Sequence, residues 1–224
     1  MCGRYSLSTP GDELARVFEI PGAVVVLPRY NIAPTQGVPV VRTPGGAPRE
    51  LAILRWGLVP SWAKEPTSGA RLINARAETV AEKPAFKDAF RTRRCLVVAD
   101  GFFEWQKRDG GKQPFHIRRR DGGPFAFAGL WERWAGPQAP AVETCTVITT
   151  AANALLLPIY DRMPVILRPE AYATWLDPKP VDRDRLLALL RPANAEELVA
   201  VPVSTAVNNP ANDDRSCVAP LYPT

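Results

Sequence analysis

The second residue of the chain is a cysteine, in the opening MCGRYSL. Removal of the initiator Met1 makes Cys2 the N-terminus, with a free α-amine and a thiol on adjacent carbons. Reference pKa values of about 7.7–8.0 for the amine and about 8.5 for the thiol leave both nucleophiles partly available near neutral pH. A 1,2-aminothiol condenses with an aldehyde in two steps: the amine forms an imine, then the thiol closes a five-membered thiazolidine ring. An internal cysteine, its nitrogen in a peptide bond, lacks this chemistry. The plainer alternative is a small packed hydrophobe, the usual state of a free cysteine. Glu104 lies in ADGFFEW, after an apolar run and Gly101. A carboxylate between Phe103 and Trp105 would be partly desolvated, which raises its pKa and suits it to general acid–base work. An outward-facing strand residue is the competing reading. Asn74 and Arg76 alternate in LINARAET and share one face of an extended segment. Asn offers a donor and an acceptor, and Arg can clamp a phosphate, although Asn74 also suits a turn or cap. Tyr160-Asp161-Arg162 falls at an element end, where Asp161 and Arg162 can equally form a solvated pair. His116, the single histidine, is placed mid-strand in PFHIRRR and reads as structural. The run Arg118-Arg119-Arg120 reads as a solvated edge, and Arg91, Arg93 and Arg94 as cations favouring a helix C-terminus.

The elements that must position these groups are short. Twenty-four prolines among 224 residues are about twice the ordinary usage and argue for many brief elements joined by fixed turns. Strands are expected over 2–8, 38–42, 51–60, 95–100, 143–150, 163–168 and 198–204, with hairpins at DGG and RDGG. Helices are expected after Thr9 (as N-cap, with Pro10 at N1), over 83–92, in AANALLL before Pro158, and in PEAYATWL and DRDRLLALL. With no repeat and no long linker, this predicts one α+β domain over 1–224: a mixed, curled, barrel-like sheet core with peripheral helices. The net charge of +5 is compatible with a polyanionic partner. Four cysteines without a CxxC pattern, and one histidine, predict no metal site and no cofactor. No apolar run reaches membrane-spanning length, and the first 15 residues lack a signal-peptide pattern, so a reducing cytosol or nucleoid is the expected compartment and a monomer the expected state.

MCGRYSL, RYNIAPTQ, RWGLVPSWA, LINARAET, ADGFFEW, TTAAN and DRMPVIL occur in this order. Together they resemble the SOS response-associated peptidase (SRAP) family over nearly the whole chain. The resemblance implies a barrel-like fold and a DNA-repair function: mature Cys2 forms a thiazolidine with the ring-opened aldehyde of an abasic site in single-stranded DNA, a covalent DNA–protein crosslink. It further implies that Asn74 orients the α-amine and the sugar and that Glu104 shuttles protons. By the same resemblance Arg4, Arg76 and Arg162 hold flanking phosphates, Trp62 and Pro34 contact neighbouring bases, and Thr149 contacts the backbone. The family motif reads His-Asp-Arg where this chain has Tyr160-Asp161-Arg162. That histidine is implied to assist ring opening and crosslink reversal, so Tyr160 marks attenuated lyase or reversal chemistry. The alternatives are an N-terminal-nucleophile thiol peptidase and a non-covalent binder of damaged single strands.

Overall fold

Residues 2–136, 140–179 and 181–222 are described by a computed structural model. In chain order the strands are β1 (Tyr5–Leu7), β2 (Arg29–Ile32), β3 (Gly37–Arg42), β4 (Glu50–Trp56), β5 (Asn74–Arg76), β6 (Arg94–Ala99) and β7 (Gly101–Arg108). They continue with β8 (Gly111–Arg119), β9 (Phe125–Trp134), β10 (Val142–Ala151), β11 (Arg162–Pro164), β12 (Ile166–Leu167) and β13 (Leu198–Pro202). The helices are α1 (Gly11–Val17), α2 (Lys87–Thr92), α3 (Tyr172–Leu176) and α4 (Arg183–Ala188).

The apolar runs VPVVR and CLVVA are buried along their length, the mark of strands covered on both faces. They lie side by side in a closed barrel. Its strands β4, β3, β6, β9 and β10 are antiparallel neighbours in that order, and β10 returns to β4 as a parallel pair. A second sheet, ordered β13-β8-β7-β1-β2, is antiparallel throughout. The two are joined by aromatic side chains: Tyr5 of β1 meets Trp56 and Phe127 of the barrel edge-on, at 5.5 and 5.9 Å between ring centroids. This is one domain of the barrel-like α+β class that the sequence predicts. The helices cover the outside. Trp175 of α3 packs against Phe90 of α2 and donates to the Cys95 carbonyl at 2.9 Å. Arg94 is buried beneath them and donates to the terminal carbonyls of α2 and α3, Phe90 and Trp175, each at 2.7 Å. Burial lowers its pKa to about 10.

Most important for the site is that β10 changes neighbours along its length. It is antiparallel to β9 as far as Val147, then to β11 from Thr149. On its other side it runs parallel to β4 at Thr144 and Cys145, then to β5 from Val147 to Thr149. The barrel therefore opens at one end, where Asn74, Arg76, Thr149 and Arg162 converge.

Several expectations need correction. The apolar run 51–60 stops pairing at Trp56, because Gly57 takes φ +127° and turns the chain. AANALLL forms turns and no helix: the Asn153 side chain accepts from Leu156 N–H at 3.0 Å and donates to the Ala193 carbonyl at 2.9 Å, competing with helical bonds. The expected strand 163–168 is two strands, since Val165 leaves β10 for β9 between β11 and β12. Thr9 does not cap α1; its amide instead donates to Asp100, and Pro10 stands at the N-cap. Helix 83–92 begins at Lys87, after turns.

Candidate functional site

The pairing of β1 draws the start of the chain into the molecule. β1 and β7 match Tyr5 with Phe102 and Ser6 with Gly101, and Phe103 N–H donates to the Arg4 carbonyl at 2.9 Å. Carried toward the N-terminus, this register lays Gly3 and Cys2 along Glu104 and Trp105. Cys2 is fully buried. Its carbonyl accepts from Asn74 Nδ2 at 2.8 Å, and Asn74 is fixed by β5 pairing with Val147 of β10. The second residue is thus gripped by both sheets.

Glu104 is 3% exposed, which overturns the outward-facing reading. Phe103 turns the other way, against His116 at 4.8 Å between rings, in a small cluster with Val203, Val207 and Cys217. The next residue on the strand therefore points between the sheets. Burial raises the Glu104 carboxyl to about 7, and nearby Asp161 pushes in the same direction. Glu104 Oε1 and Asn74 Oδ1 are buried without a hydrogen-bond partner among the described residues. Burial, and after it Glu104, holds the Cys2 thiol well above its ordinary pKa. All four cysteines are buried and free.

Tyr160 arrives on the turn before β11, which is tied to β7 by Gln106 Nε2 donating to the Pro158 carbonyl at 3.0 Å. Its hydroxyl pKa is raised by burial first, then by Glu104 and Asp161. Tyr160, Asp161 and Arg162 line an open cleft of about 560 Å³ together with Arg76, Glu78 and Thr79. Arg76 is exposed there. Arg162 is not: its Nη1 and Nη2 bond the two Glu78 oxygens at 2.6 and 3.0 Å, and Nη2 also donates to the Thr149 carbonyl at 2.7 Å. Thr149 is buried and meets Arg162 mainly through that carbonyl.

The remaining residues lie apart from this cleft. Trp62 is 65% exposed on a loop seated where Gly57 and Gly69 cross; a Cβ on Gly57 would come within 2.6 Å of the Gly69 carbonyl oxygen. Pro34 is half-buried in a turn completed by Thr35 at φ +72°. Arg4 Nη1 is engaged by Asn31 Oδ1 at 2.8 Å and the Val207 carbonyl at 2.7 Å, with its guanidinium over the Trp105 ring. His116 Nε2 is 3.0 Å from Ser6 Oγ, and burial lowers its pKa to about 4. Two residues escaped the sequence reading. Glu78 was near it, inside the LINARAET motif but in the turn that follows β5. Asn31 was not: its Nδ2 donates to carbonyls of Val207, Asn209 and Asn212, at the far end of the chain.

The sequence profile of the SOS response associated peptidase (SRAP) family matches residues 1–210. The chain belongs to the SRAP family. Among similar SRAP relatives, the abasic site processing protein YoqW of Bacillus subtilis is 43% identical over 95% of this chain and 96% of its own length. The abasic site processing protein YedK of Escherichia coli is 34% identical over 99% and 100%. The fold is also that of a solved protein from Bacteroides thetaiotaomicron, with a TM-score of 0.87, 26% identity, and 99% and 100% of the two chains covered. Among the described residues of this SRAP chain, no helix is long and apolar enough to cross a membrane, and no group of three or more His, Cys, Asp or Glu side chains could hold a metal ion.

Proposed function

We propose that the protein captures abasic sites in single-stranded DNA by forming a thiazolidine on Cys2 after Met1 is removed. The observation that carries this reading is the buried Glu104 carboxyl, with a pKa near 7 and an unpartnered oxygen, placed against a residue whose carbonyl Asn74 holds. The α-amine attacks C1′ of the opened deoxyribose, and water leaves as the imine forms. The Cys2 sulfur then adds to the imine carbon, and its proton ends on the ring nitrogen. The buried thiol is protonated at rest, so the amine acts first and ring closure needs a base beside the sulfur. Glu104, able to hold or release a proton near neutrality, supplies it. Asn74 orients the amine through the Cys2 carbonyl, and Arg76 and Arg162 receive the flanking phosphates. Arg4 is assigned to bracing the C-terminal segment, and Trp62 to stacking on a base, worth about 1–3 kcal/mol. A lesion must leave the duplex to reach a residue held this deeply, which favours single strands. The relatives' names, abasic site processing proteins, support the substrate class.

Tyr160 donates a hydrogen bond but exchanges protons poorly, because burial and its acidic neighbours move its pKa further above the ordinary value of about 10. Reversal of the finished crosslink is therefore slow. The peptidase reading has less support, since the one histidine is bonded to Ser6 and no imidazole attends Cys2.

An abasic oligonucleotide run on a denaturing gel tests the proposal. The protein should give a band that survives denaturation, and Cys2→Ser only one that requires reduction of the imine. A stable crosslink formed equally by Cys2→Ser, or by protein retaining Met1, refutes it. Tyr160→His should release the crosslink faster, with a new pH dependence near 6.5. Identical release rates would put position 160 outside the chemistry.

A further inference from the structure

Tyr160 and Asp161 reach the cleft on a segment that belongs to neither sheet. Between Ala151, the end of β10, and Arg162, the start of β11, the chain forms no helix and no strand. Of residues 152–161 only Leu156 is buried. A single buried side chain fixes one point of such a segment and leaves the rest free to pivot about it. Two amide side chains remove that freedom. Asn153, which closes the motif TTAAN, works from within: its Oδ1 accepts from Leu156 N–H at 3.0 Å, and the Leu156 carbonyl accepts from Tyr160 N–H at 2.8 Å. Its Nδ2 reaches outside, to the Ala193 carbonyl of the loop that follows α4, at 2.9 Å. Gln106 holds the other side. It shares the face of Glu104 by alternation along β7, roughly 7 Å further on. Its Nε2 donates to the Pro158 carbonyl at 3.0 Å, and its Oε1 accepts from Arg108 Nε at 2.8 Å, which turns the amide nitrogen toward Pro158. Two residues of β7 thus separate the carboxyl from the tether, and two residues of the turn separate the tether from the phenol.

We propose that Gln106 and Asn153 are positioning residues for the capture chemistry: they clamp the turn from two sides and hold Tyr160 beside Glu104. Neither touches the reacting atoms. A displacement of about 1 Å at a group that meets the substrate can change a rate by about a hundredfold, so the clamp decides how well the phenol serves the adduct. The role rests on the proposed function, in which Tyr160 meets the opened sugar; the clamp itself is a property of the turn.

The test uses two uncharged substitutions, which leave the charge around Glu104 as it is. Gln106→Met fills the same space without a donor. Asn153→Ser can still accept from Leu156 N–H in a local turn but no longer reaches Ala193. Hydrogen exchange of the native protein is read first. The Tyr160 amide should exchange about fivefold faster in each variant, the weight of one lost hydrogen bond, while the amides of β6 keep their wild-type rates. Tyr160→His is then introduced into the wild type and into both variants, and release of the crosslink from an abasic oligonucleotide is timed at one pH. The acceleration that Tyr160→His gives in the wild-type background should shrink by at least about threefold in each variant background, because a side chain that has drifted no longer acts on the adduct. A purely structural role would leave that acceleration as it is. Unchanged exchange at Tyr160, or an equal acceleration in all three backgrounds, overturns the proposal. A wild type that forms no crosslink sinks the capture reading and the positioning role with it, and the exchange rates then decide the clamp alone.

Discussion

At the scale of single residues, the cost of the site is concentrated in Glu104. Its folded pKa of about 7 lies above the ordinary carboxyl value, so the folded state disfavours its ionised form. Stability is therefore undiminished at pH values below about 4.5, declines as the pH rises toward 7, and stays reduced above it. Glu104→Gln should abolish or strongly slow capture and yet raise stability at pH 8, by up to about 3 kcal/mol or several degrees in Tm. The gap should close below about pH 4.5. Thermal unfolding of both proteins across this range checks it; a variant less stable at pH 8 would contradict the burial account. Glu78 has a second cost to reveal. It occupies both Nη atoms of Arg162, where a phosphate would bind. Glu78→Gln should bind an undamaged single strand several-fold more tightly at low salt, read by fluorescence anisotropy. Weaker binding would mean that Glu78 orients Arg162 for the phosphate.

At the scale of elements, the Trp62 loop depends on two glycines at different places in the chain. A Cβ on Gly57 would approach the Gly69 carbonyl oxygen to 2.6 Å, and one on Gly69 would approach the Gly57 carbonyl oxygen to 2.5 Å; neither contact has a flexible side chain to yield. Gly57 also takes a φ of +127° that an alanine resists. Gly57→Ala should cost about 2–4 kcal/mol and weaken single-strand binding beyond its effect on stability, because the loop must lift. Denaturant midpoints together with anisotropy separate the two effects; a midpoint within about 0.5 kcal/mol of wild type would refute the crossing. Strands with continuous apolar runs, such as CLVVA, were legible from their pattern, as was the hairpin at DGG (109–111) between β7 and β8; the expected hairpin at RDGG (120–123) does not form, because the chain there passes from β8 in one sheet to β9 in the other. The turns of AANALLL were not, since Asn153 wins its competition through Ala193, far along the chain. The same limit applies to the site. Alternation puts Asn74 beside Arg76, but the burial of Glu104 depends on a sheet packing over it, which no window of sequence contains.

For the molecule as a whole, the two sheets meet in buried aromatic contacts, through Phe102 of β7 and twice through Tyr5 of β1, which is held between β2 and β7. The start of the chain is therefore among the last places to come loose, because freeing it requires parting β1 from strands far away in sequence. This bears on the order of events during synthesis. An aminopeptidase must thread the terminal residue into its own pocket, and a fully buried Cys2 in the folded protein denies it the slack. Even about 5 kcal/mol of protection leaves only about one molecule in several thousand open at any moment. The removal of Met1 that the proposed capture requires must then happen on the nascent chain, before β7 is available to pair. Protein refolded with Met1 attached should resist aminopeptidase for hours and yield to it in denaturant, as intact mass would record; prompt trimming of the folded form would show the end to be free. Under the proposed capture chemistry, maturation is accordingly a race against folding, in which a chain that folds first is committed, for its lifetime, to an unripened form.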